Sequence, residues 1–151
     1  MSKKPIVLII NDVKPQPKQR PTYNFKTRSA VTPKKTRDYE RTIGLYARRF
    51  IKKEDVIDGA IKATMKFVFE VPKSWSKSKK EDALNGKIFP TGKNLADIDN
   101  LQKSVLDGVF EKEHGIAHLG MDDRQIVEVS AVKKYGTSNQ IIIVLEEYKN
   151  D

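Results

Sequence analysis

The carboxylates that could do chemistry in this chain fall in two short groups. Asp97 and Asp99 lie two residues apart in the stretch ADIDNLQKSVLDGV, and Asp122 and Asp123 are adjacent in the stretch MDDRQIVE. Carboxylates gathered at one point repel each other unless a cation neutralises them. Mg²⁺ prefers oxygen ligands, and a metal held this way can activate water and stabilise the charge on a phosphate under attack. The two pairs are therefore candidates for a divalent-metal site.

The spacing of the first pair limits how its carboxylates can converge. Within one helix, residues 97 and 99 would be separated by about 200°. They can converge if Asp97 ends an extended stretch and Asp99 begins the helix. Asp99 followed by Asn100 is a plausible N-cap, and the positive end of the helix dipole keeps a carboxylate there ionised. We therefore expect Asp99 to cap a helix.

Two further charged residues extend this side of the predicted helix. Asp99, Lys103 and Asp107 follow one another at four-residue intervals, roughly opposite the apolar Leu101 and Val105. As a mobile point charge, Lys103 suits a phosphate or the charge of a transition state. The strand expected after the second acidic pair could begin beside the start of the helix and add a third carboxylate.

Simpler interpretations remain open for each of these features. A solvated helix start with a capping aspartate is common, and acidic turns before strands are ordinary. Lys103 and Asp107 also fit an i,i+4 pair on an exposed helix face. Only the combination, in a basic chain without cysteine, makes a metal site as good an interpretation as the purely structural one. The residues alone name no substrate.

Composition limits the class of protein. The chain has 151 residues, 38% of them hydrophobic and 32% charged, with a net charge of +9 and no cysteine. This length fits a single soluble domain over residues 1–151. The lack of cysteine excludes disulfide scaffolds, zinc-thiolate sites and thiol nucleophiles. We see no apolar run of membrane-spanning length and no secretory signal, so the expected location is the cytoplasm.

Almost all of the excess charge lies in one segment. Residues 14–37, called the basic segment below, contain four prolines and no acidic residue, and their eight positive charges account for all but one of the net +9. We predict an irregular loop that binds nucleic acid, with Tyr23 and Phe25 available for stacking. The residues expected to contact nucleic acid are Lys14, Lys18, Arg20, Lys26, Arg28, Lys34, Lys35 and Arg37.

Hydrophobic periodicity predicts six main elements. They are a strand over residues 5–11, a helix over 36–53, a strand over 60–71, a helix over 99–113, and two strands over 124–134 and 140–148. A short helix is expected within residues 73–86. The last two strands, joined by a turn through Gly136 and Asn139, predict an antiparallel hairpin. This order indicates an α+β fold, a small mixed sheet of about four strands with two main helices.

Two motifs resemble a known family. The stretches DIDNLQKSVLDGV and MDDRQIVE are similar to those of the RusA family of Holliday-junction resolvases, especially the versions carried by phages and prophages. The stretch PQPKQRP matches the arginine- and proline-containing early loop of many relatives, and the order of elements agrees throughout. Many relatives have Lys-Pro before the first aspartate, where this chain has Leu95 and Ala96. Every acidic position of the motifs is retained.

The resemblance implies a specific activity. It implies a homodimeric, Mg²⁺-dependent crossover junction endodeoxyribonuclease, with Mn²⁺ as an alternative metal, that makes paired nicks in four-way DNA during recombination and repair. It places the essential acidic residues at Asp97, Asp99 and Asp123 and the important lysine at Lys103. Supporting roles fall to Asp107, Asp122 and Asn100.

Two alternatives to this activity belong to other classes of protein. One is a noncatalytic basic nucleic-acid-binding module whose acidic cluster caps a helix. The other is a basic structural protein of a ribonucleoprotein particle.

Overall fold

The computed structural model describes residues 3–93 and 95–150 and contains three helices and six strands in that part of the chain. In chain order they are β1 (Ile6–Asn11), β2 (Thr22–Asn24), β3 (Ser29–Val31), α1 (Lys34–Phe50), β4 (Ile61–Glu70), α2 (Lys77–Leu84), α3 (Ile98–Val109), β5 (Ile126–Gly136) and β6 (Gln140–Glu147). Short 3₁₀ turns cover Lys53–Asp55, Ala117–Leu119 and Asp123–Gln125.

Four of the strands form one mixed sheet in the order β1-β6-β4-β5. β6 is antiparallel to both of its neighbours, whereas β4 and β5 are parallel. The predicted α+β fold with a mixed sheet of about four strands is confirmed.

The core lies between one face of this sheet and the helices α1 and α3. In β4, Ile61, Ala63, Met65 and Phe67 are buried, with partly exposed residues between them. This alternation places every second side chain on the core face. The helices contribute Ile43, and Leu101 with its neighbours on α3, to the same hydrophobic cluster.

The predicted hairpin between the last two strands is wrong. β5 and β6 follow each other in the chain, but β4 lies between them in the sheet. The connecting residues cross the end of β4, where Gly136 O accepts a hydrogen bond from Val71 N (3.1 Å) and Asn139 Oδ1 accepts one from Glu70 N (2.9 Å). The turn residues that suggested a hairpin thus form hydrogen bonds with the end of a third strand, and β4 takes a central position in the sheet.

The basic segment is more ordered than an irregular loop. Its middle forms a small antiparallel hairpin from β2 and β3, and its last residues already belong to α1, which starts at Lys34 after Pro33. Asn24 Oδ1 accepts hydrogen bonds from the backbone N–H groups of Lys26 and Thr27, which shapes the turn. Residues 20–31 are exposed throughout.

The helix α3 is shorter than predicted and ends at Val109. Here the chain folds back, since Val109 O accepts a hydrogen bond from Ile116 N (2.8 Å). A Cβ atom at Gly115 would lie 2.3 Å from Val109 O, so this close return requires glycine. Residues 110–113 therefore lie beyond the helix.

The helices α1 and α3 approach each other closely at two glycines. A Cβ atom on Gly108 would lie 2.8 Å from Ile43 Cβ, and one on Gly44 would lie 2.9 Å from Gly108 O. This contact brings Glu40 of α1 beside Asp107 of α3. Within the described ranges, no helix combines the length and the apolar character needed to cross a membrane.

Candidate active site

The first acidic pair lies where α3 begins, and the helix starts at Ile98, one residue earlier than expected. Asp97, rather than Asp99, is the N-cap residue, with extended backbone angles (φ −64°, ψ 146°). Its carbonyl oxygen accepts hydrogen bonds from the N–H groups of Asn100 and Leu101 (both 3.1 Å), while its side chain makes no capping bond. Asp99 lies in the first turn, and its Oδ1 accepts a bond from Asn100 N (3.0 Å). Both carboxylates are exposed.

The predicted outer face of this helix is confirmed. Leu101 and Val105 are completely buried. Asp99 and Lys103 are exposed and Asp107 is partly exposed. The ammonium of Lys103 is thus presented on the same side of α3 as Asp99, one helical turn further on.

The second acidic pair lies in a turn tied to the body of the protein. Asp122 Oδ1 accepts hydrogen bonds from Arg124 N (2.8 Å) and Arg124 Nε (3.2 Å). The backbone N–H of Arg124, then its guanidinium, lowers the pKa of Asp122 from 3.8 to about 2. Gln125 Nε2 donates to Ile57 O (2.8 Å), which fixes this turn against the chain entering β4.

Asp123 lies close enough to α3 for the charge of Asp107 to affect its pKa. Partial burial, the hydrogen bond with Asp122 and the negative charges of Asp122 and Asp107 raise its pKa. Further along β5, Lys133 Nζ donates to Ala96 O (3.0 Å), just before the helix. The start of β5 therefore lies near the second half of α3, and its later part lies near the helix start, opposite to what the sequence suggested.

The predicted cluster of three carboxylates is spread along α3 in the single chain. Asp99 and Asp107 are separated by about 12 Å along the helix axis. Within residues 3–93 and 95–150, one group of three potential metal ligands has its atoms within 4.8 Å of one another, formed by Glu111, Glu113 and His114. The carboxylates of Asp97, Asp99 and Asp123 do not form such a compact group in the single chain.

The Glu111 group is largely occupied by its own hydrogen bonds. The backbone N–H of His114 donates to Glu111 Oε2, and the His114 Nδ1 atom lies 3.2 Å from the same oxygen. Partial burial acts to raise the pKa of Glu111, but the hydrogen bonds from the backbone N–H groups of His114 and Glu113 outweigh it, and the pKa is lowered. This arrangement is typical of a local turn.

The basic segment contributes one residue to the interior of the site. Lys18 Nζ lies 2.5 Å from Asp107 Oδ2 and 3.8 Å from Glu40 Oε1, and only 25% of its side chain is exposed. The seven other basic residues predicted to contact nucleic acid are all exposed. They are Lys14, Arg20, Lys26, Arg28, Lys34, Lys35 and Arg37.

Glu40 is a member of this charged group that the sequence did not reveal. Burial raises its pKa, the Lys18 ammonium opposes that effect, and the negative charges of Asp107 and Glu111 add to it. Its side chain is 13% exposed. The signal was available, because Glu40 directly follows the buried Tyr39 and precedes the buried Ile43 by three residues.

Comparison with known proteins gives this site a family. A family profile described as "Endodeoxyribonuclease RusA" matches residues 12–146, which includes both acidic pairs and the basic segment. The chain belongs to this endodeoxyribonuclease family, as its motifs suggested. It is also 31% identical over 117 residues to the uncharacterized protein YqaN of Bacillus subtilis (strain 168), and the match covers 76% of each chain.

Proposed function

We propose that this protein is a Mg²⁺-dependent, structure-selective endonuclease that resolves four-way DNA junctions by paired nicks in recombination and repair. Membership of the RusA family carries the proposal. The two exposed aspartates at the start of α3, followed by Lys103 on the same face, support it. Acting on the DNA of the cell that makes it, the enzyme would work in the cytoplasm.

The donor chemistry of the site fits a hard divalent cation. Asp97 and Asp99 offer exposed carboxylate oxygens without a basic partner among the ion pairs of the described residues. Mg²⁺ commonly takes only one or two protein carboxylates, together with water and phosphate oxygens. Asp97 and Asp99 would hold it, or Mn²⁺ in its place. Because Asp123 lies apart from this pair in the single chain, it would complete the ligand set across the homodimer, with Asp123 supplied by the partner subunit. When bound, the metal supplies a more acidic water and positive charge at the phosphate.

The neighbouring residues have distinct tasks in this proposal. Lys103 places a positive charge beside the phosphate, where negative charge grows during in-line attack. Asn100 supports the helix start by bonding to the side chain of Asp99 through its N–H. Asp122 keeps the turn before β5 closed through Arg124, and Asp107 holds Lys18.

The exposed part of the basic segment would bind the junction arms. Its charges are sequence-independent contacts, which suits an enzyme that recognises DNA shape rather than sequence. Two opposed nicks require two sites, and a homodimer provides them by symmetry. Sedimentation equilibrium tests this point, with an expected mass about twice the 17.2 kDa of one chain.

The activity is tested by nicking of a synthetic four-way junction in the presence of Mg²⁺. We expect Asp99→Asn to lower the nicking rate by about 10³-fold or more, since it removes a charged ligand at the reacting phosphate. Junction affinity should change little. Asp58→Asn, at an exposed aspartate in the loop before β4, removes the same charge elsewhere and should nick at the normal rate.

The outcomes separate the candidate functions. Tight junction binding without nicking by the unaltered protein would contradict the enzyme and favour the noncatalytic nucleic-acid-binding module. Equal nicking by the unaltered protein and Asp99→Asn would remove Asp99 from the proposed ligands. A preference for RNA over junction DNA would favour a ribonucleoprotein component.

A further inference from the structure

Lys18 differs from the rest of the basic segment because its charge is already neutralised within the protein. Its ammonium lies between Asp107 of α3 and Glu40 of α1, at 2.5 and 3.8 Å. All three side chains are mostly buried: the exposed fraction is 25% for Lys18, 26% for Asp107 and 13% for Glu40. A lysine in this position has little charge left to offer a DNA phosphate.

The backbone around Lys18 is attached to the same two helices. Its carbonyl oxygen accepts a hydrogen bond from Asn100 Nδ2 (3.3 Å), and Asn100 directly follows Asp99. The next residue, Gln19, donates its N–H to Thr36 Oγ1 at the start of α1 (3.1 Å). Residues 18 and 19 thus bridge α1 and α3, and the contacts to α3 span about 10 Å of its length.

Beyond this bridge the basic segment has few attachments to the body of the protein. The hydrogen bonds described for residues 22–31 all stay within the hairpin of β2 and β3. The exposed basic residues of that hairpin are therefore positioned by its two ends, at residues 18 and 19 before it and at the start of α1 after it. If the contacts of residues 18 and 19 were lost, the hairpin could shift relative to α3. DNA bound to the hairpin would then shift with it, and the phosphate to be cut would move away from Asp97 and Asp99.

We propose that Lys18 is a positioning residue. Held between Asp107 and Glu40, it anchors the basic segment to α3 and so sets the place of bound DNA relative to Asp97, Asp99 and Lys103. The effect of Lys18 on nicking rests on the proposed function. Its role as the anchor of the basic segment does not. Removal of the ammonium would also leave two partly buried carboxylates facing each other, which favours a rearrangement of the segment.

The test compares Lys18→Met with Lys62→Met. Lys62 lies on the face of β4 opposite the core and pairs with Glu128 at 3.3 Å, so this control also removes one positive charge and breaks an ion pair of the lysine. For each folded variant we would measure junction affinity without divalent metal, the nicking rate at saturating junction with Mg²⁺, and the rate of tryptic cleavage after Lys26 and Arg28.

We expect Lys18→Met to lower the saturating nicking rate about tenfold or more, because misplaced substrate reacts slowly even when bound. Its junction affinity should fall by no more than about threefold, and tryptic cleavage of the hairpin should become several-fold faster. Lys18→Arg, which can still pair with both carboxylates, should retain most of the rate. Lys62→Met should behave like the unaltered protein in all three measurements.

Two results would overturn the proposal. One is a loss of affinity in Lys18→Met with an unchanged rate at saturation, which identifies a direct DNA contact instead. The other is unchanged tryptic cleavage, which shows that the segment is held elsewhere. If Lys18→Met does not fold, Asp107→Asn is judged by the same measurements. If the unaltered protein does not nick, the proposed function fails, and the tryptic rates still decide whether Lys18 is the anchor.

Discussion

At the scale of single residues, the charged groups of the site divide into those that face solvent and those that neutralise each other. Asp97, Asp99 and Lys103 are exposed, whereas Lys18 and Asp107 pair. Exposed carboxylates at a helix start are available to a cation, and the exposed lysine beside them is available to a phosphate. Carboxylates that pair with a lysine, such as Asp107, stabilise the contact between parts of the chain. Aspartates of the same site therefore have different tasks.

The Asp122–Arg124 contact leads to a prediction about pH. In Arg124→Ala, the pKa of Asp122 should rise above its value of about 2 but stay below 3.8. The reason is that the backbone N–H of residue 124, the largest cause of the lowered pKa, is still present, while the guanidinium is lost. This pKa is measured by a carbon-13 NMR titration of the Asp122 carboxyl group, with a chelator present to remove divalent metal.

The sign of the stability effect follows from the lowered pKa. The charged form of Asp122 stabilises the fold above about pH 4, and this contribution is lost as the pH falls from 3.8 towards 2. In Arg124→Ala the pKa of Asp122 in the folded protein lies closer to 3.8. The stabilising contribution should therefore be smaller and should be lost over a narrower pH range, whose lower limit lies above pH 2. Arg20→Ala, at an exposed arginine in the basic segment, serves as the control. An identical titration of Asp122 in both variants would show that the guanidinium has no part.

At the scale of elements, the close contact of α1 and α3 positions Glu40, Lys18 and Asp107. Glycine at 108 permits it, although glycine is a poor helix former. Alanine there would gain roughly 1 kcal/mol of helix propensity, but its Cβ would lie 2.8 Å from Ile43 Cβ and 3.0 Å from Glu40 O. Crowding against a buried backbone oxygen cannot be relieved by a rotamer change.

We therefore predict that Gly108→Ala lowers the free energy of unfolding by about 1–3 kcal/mol. It should also disturb the Lys18–Asp107 pair, since the neighbouring residue must shift with the helix. Gly59→Ala is the matched control, because a Cβ atom there meets nothing within 4 Å. Chemical denaturation measures both. A Gly108→Ala variant as stable as Gly59→Ala would show that the helices can separate at little cost.

At the scale of the whole molecule, the net charge of +9 is concentrated on one segment. Its exposed members should release counterions when DNA binds, which makes the affinity depend steeply on salt. The double variant Lys26→Ala, Arg28→Ala should reduce the slope of log affinity against log salt concentration by about 2, close to 0.9 for each lost phosphate contact on duplex arms.

Junction affinity measured between low and moderate salt checks this prediction. The control is Lys62→Ala, Lys66→Ala, which removes two lysines from the sheet face opposite the core-facing residues of β4. Equal slopes for the two double variants would show that the hairpin does not contact the phosphates.

Local patterns in the sequence predicted the four strands of the main sheet and the helices α1 and α3 to within a few residues, but not the hairpin of β2 and β3. The alternation in β4 and the apolar stripe of α3 fixed which faces are buried, because both depend only on the period of the backbone. The outward direction of Asp99, Lys103 and Asp107 followed from the same period. The family followed from two contiguous motifs, since each lies within a single stretch of chain.

Contacts between distant parts of the chain decided the rest. The insertion of β4 between β5 and β6 depends on competition for the centre of the sheet, which no turn residue encodes. The pairing of Lys18 with Glu40 and Asp107 depends on the close approach of α1 and α3. The sequence by itself determined which residues could do the chemistry. Tertiary structure decided which of those charges face solvent and which are neutralised inside, because burial and pairing depend on neighbours far away in the chain.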